Sequence, residues 1–228
     1  MAAAVATVAA APASAAAAVP RVPAAQELAT LNAPHQARSR ASTRSARVAT
    51  VPAFAPVTGS RTVLPVIGRR TGANGTRWLK VLLPGRPNGR AAWITRRSTT
   101  RTSTSWHIVV RTKQRRVAVY RKGRLVRSFN AIVGAPSTPT PHGRFFVEES
   151  VRMDPASAGA PFALALSARS NVLQEFEGGP GQIALHGVAN LGGTLGTAVS
   201  HGCVRLANRS ISWLVARIPR GAPVTIKA

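Results

Sequence analysis

A chain of 228 residues has room for one or two domains, and 45 % hydrophobic content is enough to pack a core over part of it. With 31 Lys and Arg against 6 Asp and Glu, the formal charge is +25, so non-specific attraction to polyanions is expected. The single cysteine excludes an intrachain disulfide, and no window of about twenty apolar residues reads as a strong membrane helix.

Met1 to Pro20 is uncharged and mostly Ala and Val. It reads as the apolar region of a secretory signal, with Ala13-Ser14-Ala15 as a small-x-small cleavage site, although no Lys or Arg precedes it. Residues 1–57 as a whole are rich in Ala, Pro, Ser and Thr and poor in large apolar residues. They are expected to be a disordered leader and linker, made basic by Arg38, Arg40, Arg44 and Arg47.

The character changes at about residue 58. Val63 to Ile67, Trp78 to Leu83 and Ala92 to Ile94 are short β-type runs. Turn sequences around Gly72-Ala73-Asn74-Gly75 and Pro84 to Gly89 separate them. With its Gly89-Arg90-Ala91-Ala92-Trp93-Ile94 ending, the 58–103 segment resembles a small bacterial SH3-like β-barrel.

Strand signals continue through 104–228. Trp106 to Val110 and Val117 to Tyr120 form a basic hairpin, followed by Leu125 to Val133, Phe145 to Val147, Phe162 to Leu166 and Ile183 to Leu185. Asn208 is placed to cap one short helix over Arg209 to Ile218, and Val224 to Ile226 is a last strand. Many strands with one or two short helices predict a mainly β fold. The hairpin cations at Arg115, Arg116, Arg121 and Lys122 read as a solvated face. No aromatic platform interleaves with them, so no specific nucleic-acid partner is expected.

The chemistry concentrates in Ser200-His201-Gly202-Cys203-Val204-Arg205 and in His186-Gly187 upstream. A thiol becomes a nucleophile as thiolate, and a nearby imidazole generates that species near neutral pH. Glycine beside the cysteine lets a substrate carbonyl approach the backbone, and the N–H groups of Gly202 and Cys203 are candidate oxyanion donors. Spacing alone leaves His186 and His201 both open as the base. A metal site from His186, His201 and Cys203 would lack a fourth protein ligand, so no metal is expected.

These two motifs resemble the active-site signature of the YkuD-type L,D-transpeptidases. Val133 to Gly143, with Gly134, Pro136, Thr140, Pro141 and Gly143, resembles the upstream loop of the same family, His142 standing where a small residue is common. The resemblance covers about Ser105 to Ala228 and implies a β-rich catalytic domain at 104–228. It implies Cys203 as nucleophile, His186 as base, the Gly187 carbonyl as the group that orients the imidazole, and a reaction that needs no metal or organic cofactor; the residues themselves leave Glu175 or Glu177 as the alternative orienter. Arg205, His201, Ser200 and His142 are the expected substrate-side residues. The implied reaction is extracytoplasmic cross-linking of peptidoglycan tetrapeptide stems through a cysteine thioester, with carbapenem-type β-lactams as inhibitors and anionic wall polymers drawn to the basic surface. The alternative class is a non-enzymatic cell-wall or polyanion-binding protein.

Overall fold

The computed structural model describes residues 22–176 and 178–228. The leader, its cleavage site and Glu177 lie outside the described residues. Sixteen strands form two sheets, and among the described residues there is a single α-helix.

The first sheet has seven strands: β1 (Gln26–Leu31), β2 (His35–Arg38), β3 (Arg47–Val51), β4 (Val63–Thr71), β5 (Arg77–Leu82), β6 (Ala91–Thr95) and β7 (Thr99–Thr104). Their order is β3-β2-β6-β5-β4-β1-β7. β1, β2 and β3 fall in the segment expected to be linker, so the ordered sheet begins well before residue 58. The reason is the size of the buried side chains. Leu28, Ala29 and Leu31 on β1 and Ala37 on β2 are buried, and Ala53 and Ala55 follow β3 into the interior. An alternation carried by alanine gives little signal of burial in the sequence, yet it fits where backbones pack closely.

The second sheet comprises β8 (Trp106–Arg111), β9 (Arg116–Arg121), β10 (Arg124–Gly134), β11 (Gly143–Arg152), β12 (Phe162–Arg169), β13 (Gln182–His186), β14 (Ala198–Ser200), β15 (Val204–Leu206) and β16 (Pro223–Lys227). Its order is β14-β10-β15-β13-β12-β11-β16-β8-β9, and β9 pairs again with β10. β10 achieves this by length. Its first part pairs with β9 and its last residues with β15 and β14, so the sheet curls into a closed, barrel-like layer. The mainly β expectation is met. The helix α1 (Asn208–Val215) buries Ile211 and Leu214 in the core beneath β12 and β13.

The two sheets are joined by buried contacts. β11 turns Phe145 into the core of the second sheet and its neighbour Phe146 into the core of the first, as strand alternation requires. Glu149, 1 % exposed, accepts hydrogen bonds from the N–H groups of Val57 and Thr58 and from the Thr58 hydroxyl. Arg86 donates to the carbonyls of Ser170, Leu173 and Pro180, and Asn88 bonds both Arg169 and Asn171. A buried carboxylate held by three donors is costly to leave unpaired, so this seam resists separation.

Candidate active site

β13 and β15 run parallel, with Leu185 opposite Val204 and His186 opposite Arg205. Alternation puts Ile183, Leu185, Val204 and Leu206 in the core, all buried. The opposite, partly accessible face then carries Gln182, Ala184 and His186 on one strand and Cys203 and Arg205 on the other. His186 and Cys203, the latter just before β15, are therefore diagonal neighbours across adjacent strands. The thiol also lies 3.9 Å from the Gln182 carbonyl oxygen.

The imidazole of His186 is fixed by its backbone. Nδ1 lies 2.8 Å from the Gly187 carbonyl oxygen. A carbonyl only accepts, so Nδ1 carries the proton and Nε2 of the neutral ring is the basic nitrogen. Burial holds the His186 pKa below the ordinary imidazole value, the Gly187 carbonyl partly offsets this, and the nearby Arg205 guanidinium lowers it further. The ring is thus neutral near pH 7, as a general base must be.

Glycines make this packing possible. A Cβ on Gly159 would sit 2.4 Å from His186 Nδ1, and one on Gly187 would sit 2.0 Å from the Ala160 carbonyl oxygen. The Gly187 N–H donates to the Gly159 carbonyl, and Asn208 Oδ1 accepts from the Val188 N–H. Asn208 was expected to cap α1. Instead Ala207 occupies the cap position without a side-chain bond, and the Asn208 amide ties down the segment after His186.

The Ser200–Cys203 turn is held from two sides. Inside it, Ser200 Oγ donates to the Cys203 carbonyl at 2.6 Å and accepts the Gly202 N–H at 3.2 Å. Outside it, Thr138 donates to the Ser200 carbonyl and Thr140 to the Gly202 carbonyl, while Thr140 Oγ1 accepts the Gly134 N–H. A Cβ on Gly134 would meet Thr138 and Thr140 backbone atoms at 2.4 Å, so only glycine lets this loop close. Gly202 has φ +117, a conformation that favours glycine at the turn itself.

The expected substrate-side residues separate. Ser200 is 1 % exposed and its hydroxyl is committed to the turn, so it shapes the site from within. His201 is exposed, its ring 5.4 Å from that of Phe176. Arg205 Nη1 donates to the Gly192 carbonyl and so braces the loop between β13 and β14. His142 faces the β8–β9 turn, with Nε2 2.8 Å from Thr112 Oγ1. The sequence reading gave no individual role to Thr138, Thr140, Gly159 or Phe176. The two threonines lie in the Val133 to Gly143 motif, whereas Gly159 and Phe176 carry no local signal. Among the described residues no group of three or more metal-ligating side chains is present.

The model of the YkuD family, the L,D-transpeptidase catalytic domain, matches residues 105–226. The chain belongs to that family. It is 32 % identical over 124 residues to the putative L,D-transpeptidase YkuD of Bacillus licheniformis, a match covering 53 % of this chain and 65 % of the relative. It is 30 % identical over 120 residues to L,D-transpeptidase 1 of Mycobacterium tuberculosis, covering 47 % and 45 %. The chain therefore spans less than two thirds of the length of these curated relatives. Similar solved structures include an L,D-transpeptidase from Mycobacterium tuberculosis H37Rv, at 19 % identity and TM-score 0.47 over 73 % of this chain and 90 % of that one. Another is the LD transpeptidase LdtMt1 in complex with imipenem, at 19 % identity and TM-score 0.45 over 78 % and 100 %.

Proposed function

We propose that the chain is a peptidoglycan L,D-transpeptidase acting outside the cytoplasm through a Cys203 thioester. His186 Nε2 takes the thiol proton, and the thiolate attacks the carbonyl between the third-position diamino acid and the terminal D-Ala of a tetrapeptide stem. The Cys203 backbone N–H receives the developing oxyanion, while the Gly202 N–H, expected to share that role, is held inside the turn by Ser200 Oγ. Collapse breaks the C–N bond, and D-Ala leaves with the proton from His186. The side-chain amine of a neighbouring stem then attacks the thioester, His186 accepts its proton, and the thiolate departs. The product is a cross-link between third-position residues. Water in place of the amine gives carboxypeptidase activity.

The observation that carries this reading is the Nδ1–H bond of His186 to the Gly187 carbonyl, with Cys203 on the same face of the adjacent strand. It supplies a nucleophile, a base of fixed tautomer and a backbone orienter. Family membership supports the reaction class. The same thiol is expected to open a carbapenem-type β-lactam. Intact-mass spectra test this, with one added drug mass expected on the wild type and none on Cys203→Ala. An unmodified wild type after long incubation overturns the assignment. The product itself is read by mass spectrometry of peptidoglycan fragments incubated with the protein.

A further inference from the structure

The first sheet carries a cationic groove that acyl transfer does not use. In the order β6-β5-β4-β1-β7, five adjacent strands or the residues flanking them line the same cavity of about 310 Å³. Arg96 follows β6, Arg77 opens β5, Arg69 and Arg70 lie near the end of β4, and Arg101 lies on β7. All five are exposed. The one carboxylate in the cavity wall, Glu27 on β1, pairs with Arg69 and Arg101. Arg70, Arg77 and Arg96 have no ion-pair partner among the described residues.

The charge continues beyond this cavity. Arg70 and Thr71 also wall a neighbouring cavity of about 540 Å³ that holds Arg40 and Arg44. Trp78 is shared with a third cavity, of about 270 Å³, that holds Arg38 and Arg97. The three cavities adjoin through these wall residues, so their arginines lie along neighbouring stretches of one cationic track. Gathering like charges this way costs folding free energy through mutual repulsion, and a bound polyanion removes that cost.

We propose that this track binds a linear, acyclic polyol phosphate, a chain of phosphodiesters joined by small polyols. Guanidinium forks match phosphate oxygens. Neighbouring strands stand about 4.8 Å apart, so Arg96, Arg77 and Arg70 at the ends of the successive strands β6, β5 and β4 form a ladder for repeated single charges rather than a pocket for one ion. Ring-containing polyanions are disfavoured. Bases bind single-strand grooves by stacking on aromatic faces, and sugar rings use similar platforms. Trp78, the single aromatic residue in the wall of the central cavity, is 2 % exposed and belongs to the interior. The inference stands apart from the thiol chemistry, and either can fail alone.

The test uses the full chain and a fluorescent poly(glycerol phosphate) oligomer, read by anisotropy across a salt series. The triple variant Arg70→Gln/Arg77→Gln/Arg96→Gln is expected to lose at least about tenfold in affinity, with the log–log salt slope reduced by about one for each lost phosphate contact. Glu27→Gln releases Arg69 and Arg101 and is expected to tighten binding several-fold, an effect that simple structural damage does not produce. Lys113→Gln/Lys122→Gln/Arg124→Gln removes three exposed charges from the β8–β9–β10 turns and is expected to change affinity less than threefold. Equal losses in the two triple variants reduce the effect to bulk charge and overturn the site, as does unchanged or weaker binding by Glu27→Gln. Tighter binding of a single-stranded oligonucleotide or a polyuronate of equal charge also overturns the proposed ligand. If the arginine variant does not fold, Glu27→Gln and Arg70→Gln decide. Carbapenem acylation of Cys203 is measured alongside. If it fails in the wild type while polymer binding follows the expected pattern, the acyl-transfer reading falls and the groove stands.

Discussion

The two sheets handle polar groups in opposite ways. Residues 22–104 carry fourteen Lys and Arg against Glu27 alone, and the arginines of the groove point into open cavities. Residues 105–228 carry sixteen against five acids, and there hydroxyl, amide and backbone groups around the Ser200–Cys203 turn and His186 are bound to one another. Ser200, Thr138, Thr140, Gly187 and Asn208 all close short hydrogen bonds around the thiol and the imidazole. Attraction to a charged polymer acts over about 8 Å at physiological salt and tolerates mobile side chains. Nucleophilic attack tolerates little, because misplacement by about 1 Å can cost roughly 100-fold in rate.

If that contrast holds, single changes in the second sheet have large catalytic effects. Cys203→Ala is expected to abolish cross-linking with the fold intact, since no other thiol exists in the chain. Residual cross-linking in this variant would sink the cysteine mechanism. His186→Ala is expected to lower kcat/KM by about 10²–10⁴-fold or more, against little change for Asp154→Ala. Asp154 is exposed, and its carboxylate accepts a local turn bond from the Ala156 N–H. Similar losses in the two variants would remove His186 as base.

The loop beneath the turn sharpens the contrast at the level of stability. Thr140 is 4 % exposed, and Thr140→Val leaves the Gly202 carbonyl and the Gly134 N–H without their partner. The expected cost is about 1–3 kcal/mol in denaturant unfolding, with a fall in kcat at unchanged KM for a small stem peptide. A stable variant with normal kcat would show that the turn holds its shape unaided. Thr50 on β3, bonded only to the Gln36 side chain at the surface, is the matched control, and Thr50→Val is expected to be nearly neutral.

What the sequence revealed follows the same division. Cys203, His186 and their glycines stood out in the sequence because the proposed acyl transfer would demand particular residues at particular backbone positions. Seven of the nine strands of the second sheet were legible because their cores are large apolar residues in alternation, whereas β14 and β15, three residues each, are too short to carry a pattern. β1, β2 and β3 were not, because only Leu28, Leu31 and Val51 among their buried hydrophobic residues are large, and alanines such as Ala29 and Ala37 complete the burial with little sequence signal. Asn208 was read as a helix cap because that is the local option for its amide. Its actual acceptor role toward Val188, twenty residues upstream, depends on how β13 and α1 pack, which no local pattern encodes. The arginine track was equally hidden. Its members are scattered from residue 38 to residue 101 and converge only through the strand order.

A smaller effect is expected in the pH–rate profile. His186 is held below its ordinary value, so the base stays neutral and active until pH falls below that depressed value. The acid limb of kcat/KM is therefore expected below about pH 6.5. Arg205→Gln removes a cation that lowers this pKa, so the limb moves toward higher pH. An unmoved limb would show that the guanidinium acts only through its bond to Gly192.

The smallest effect concerns His107 on β8, far in sequence from both motifs. Its Nε2 lies 2.9 Å from Thr225 Oγ1 on the neighbouring β16. Burial, aided by the Arg144 guanidinium, holds its pKa at about 4 against an ordinary 6.5. The unfolded chain therefore binds a proton at this site over a range where the folded chain does not. Stability from the neutral ring is complete above about pH 6.5 and declines as pH falls toward 4. Below that both states are protonated and the loss levels off. Gln at this position can still bond Thr225 but cannot titrate. His107→Gln is thus expected to show a shallower fall in Tm between pH 7 and pH 4 than the wild type, with the carboxylates contributing equally to both. Parallel curves would mean that His107 gains its proton without cost, and that this part of the second sheet is as open to solvent as the arginine groove of the first.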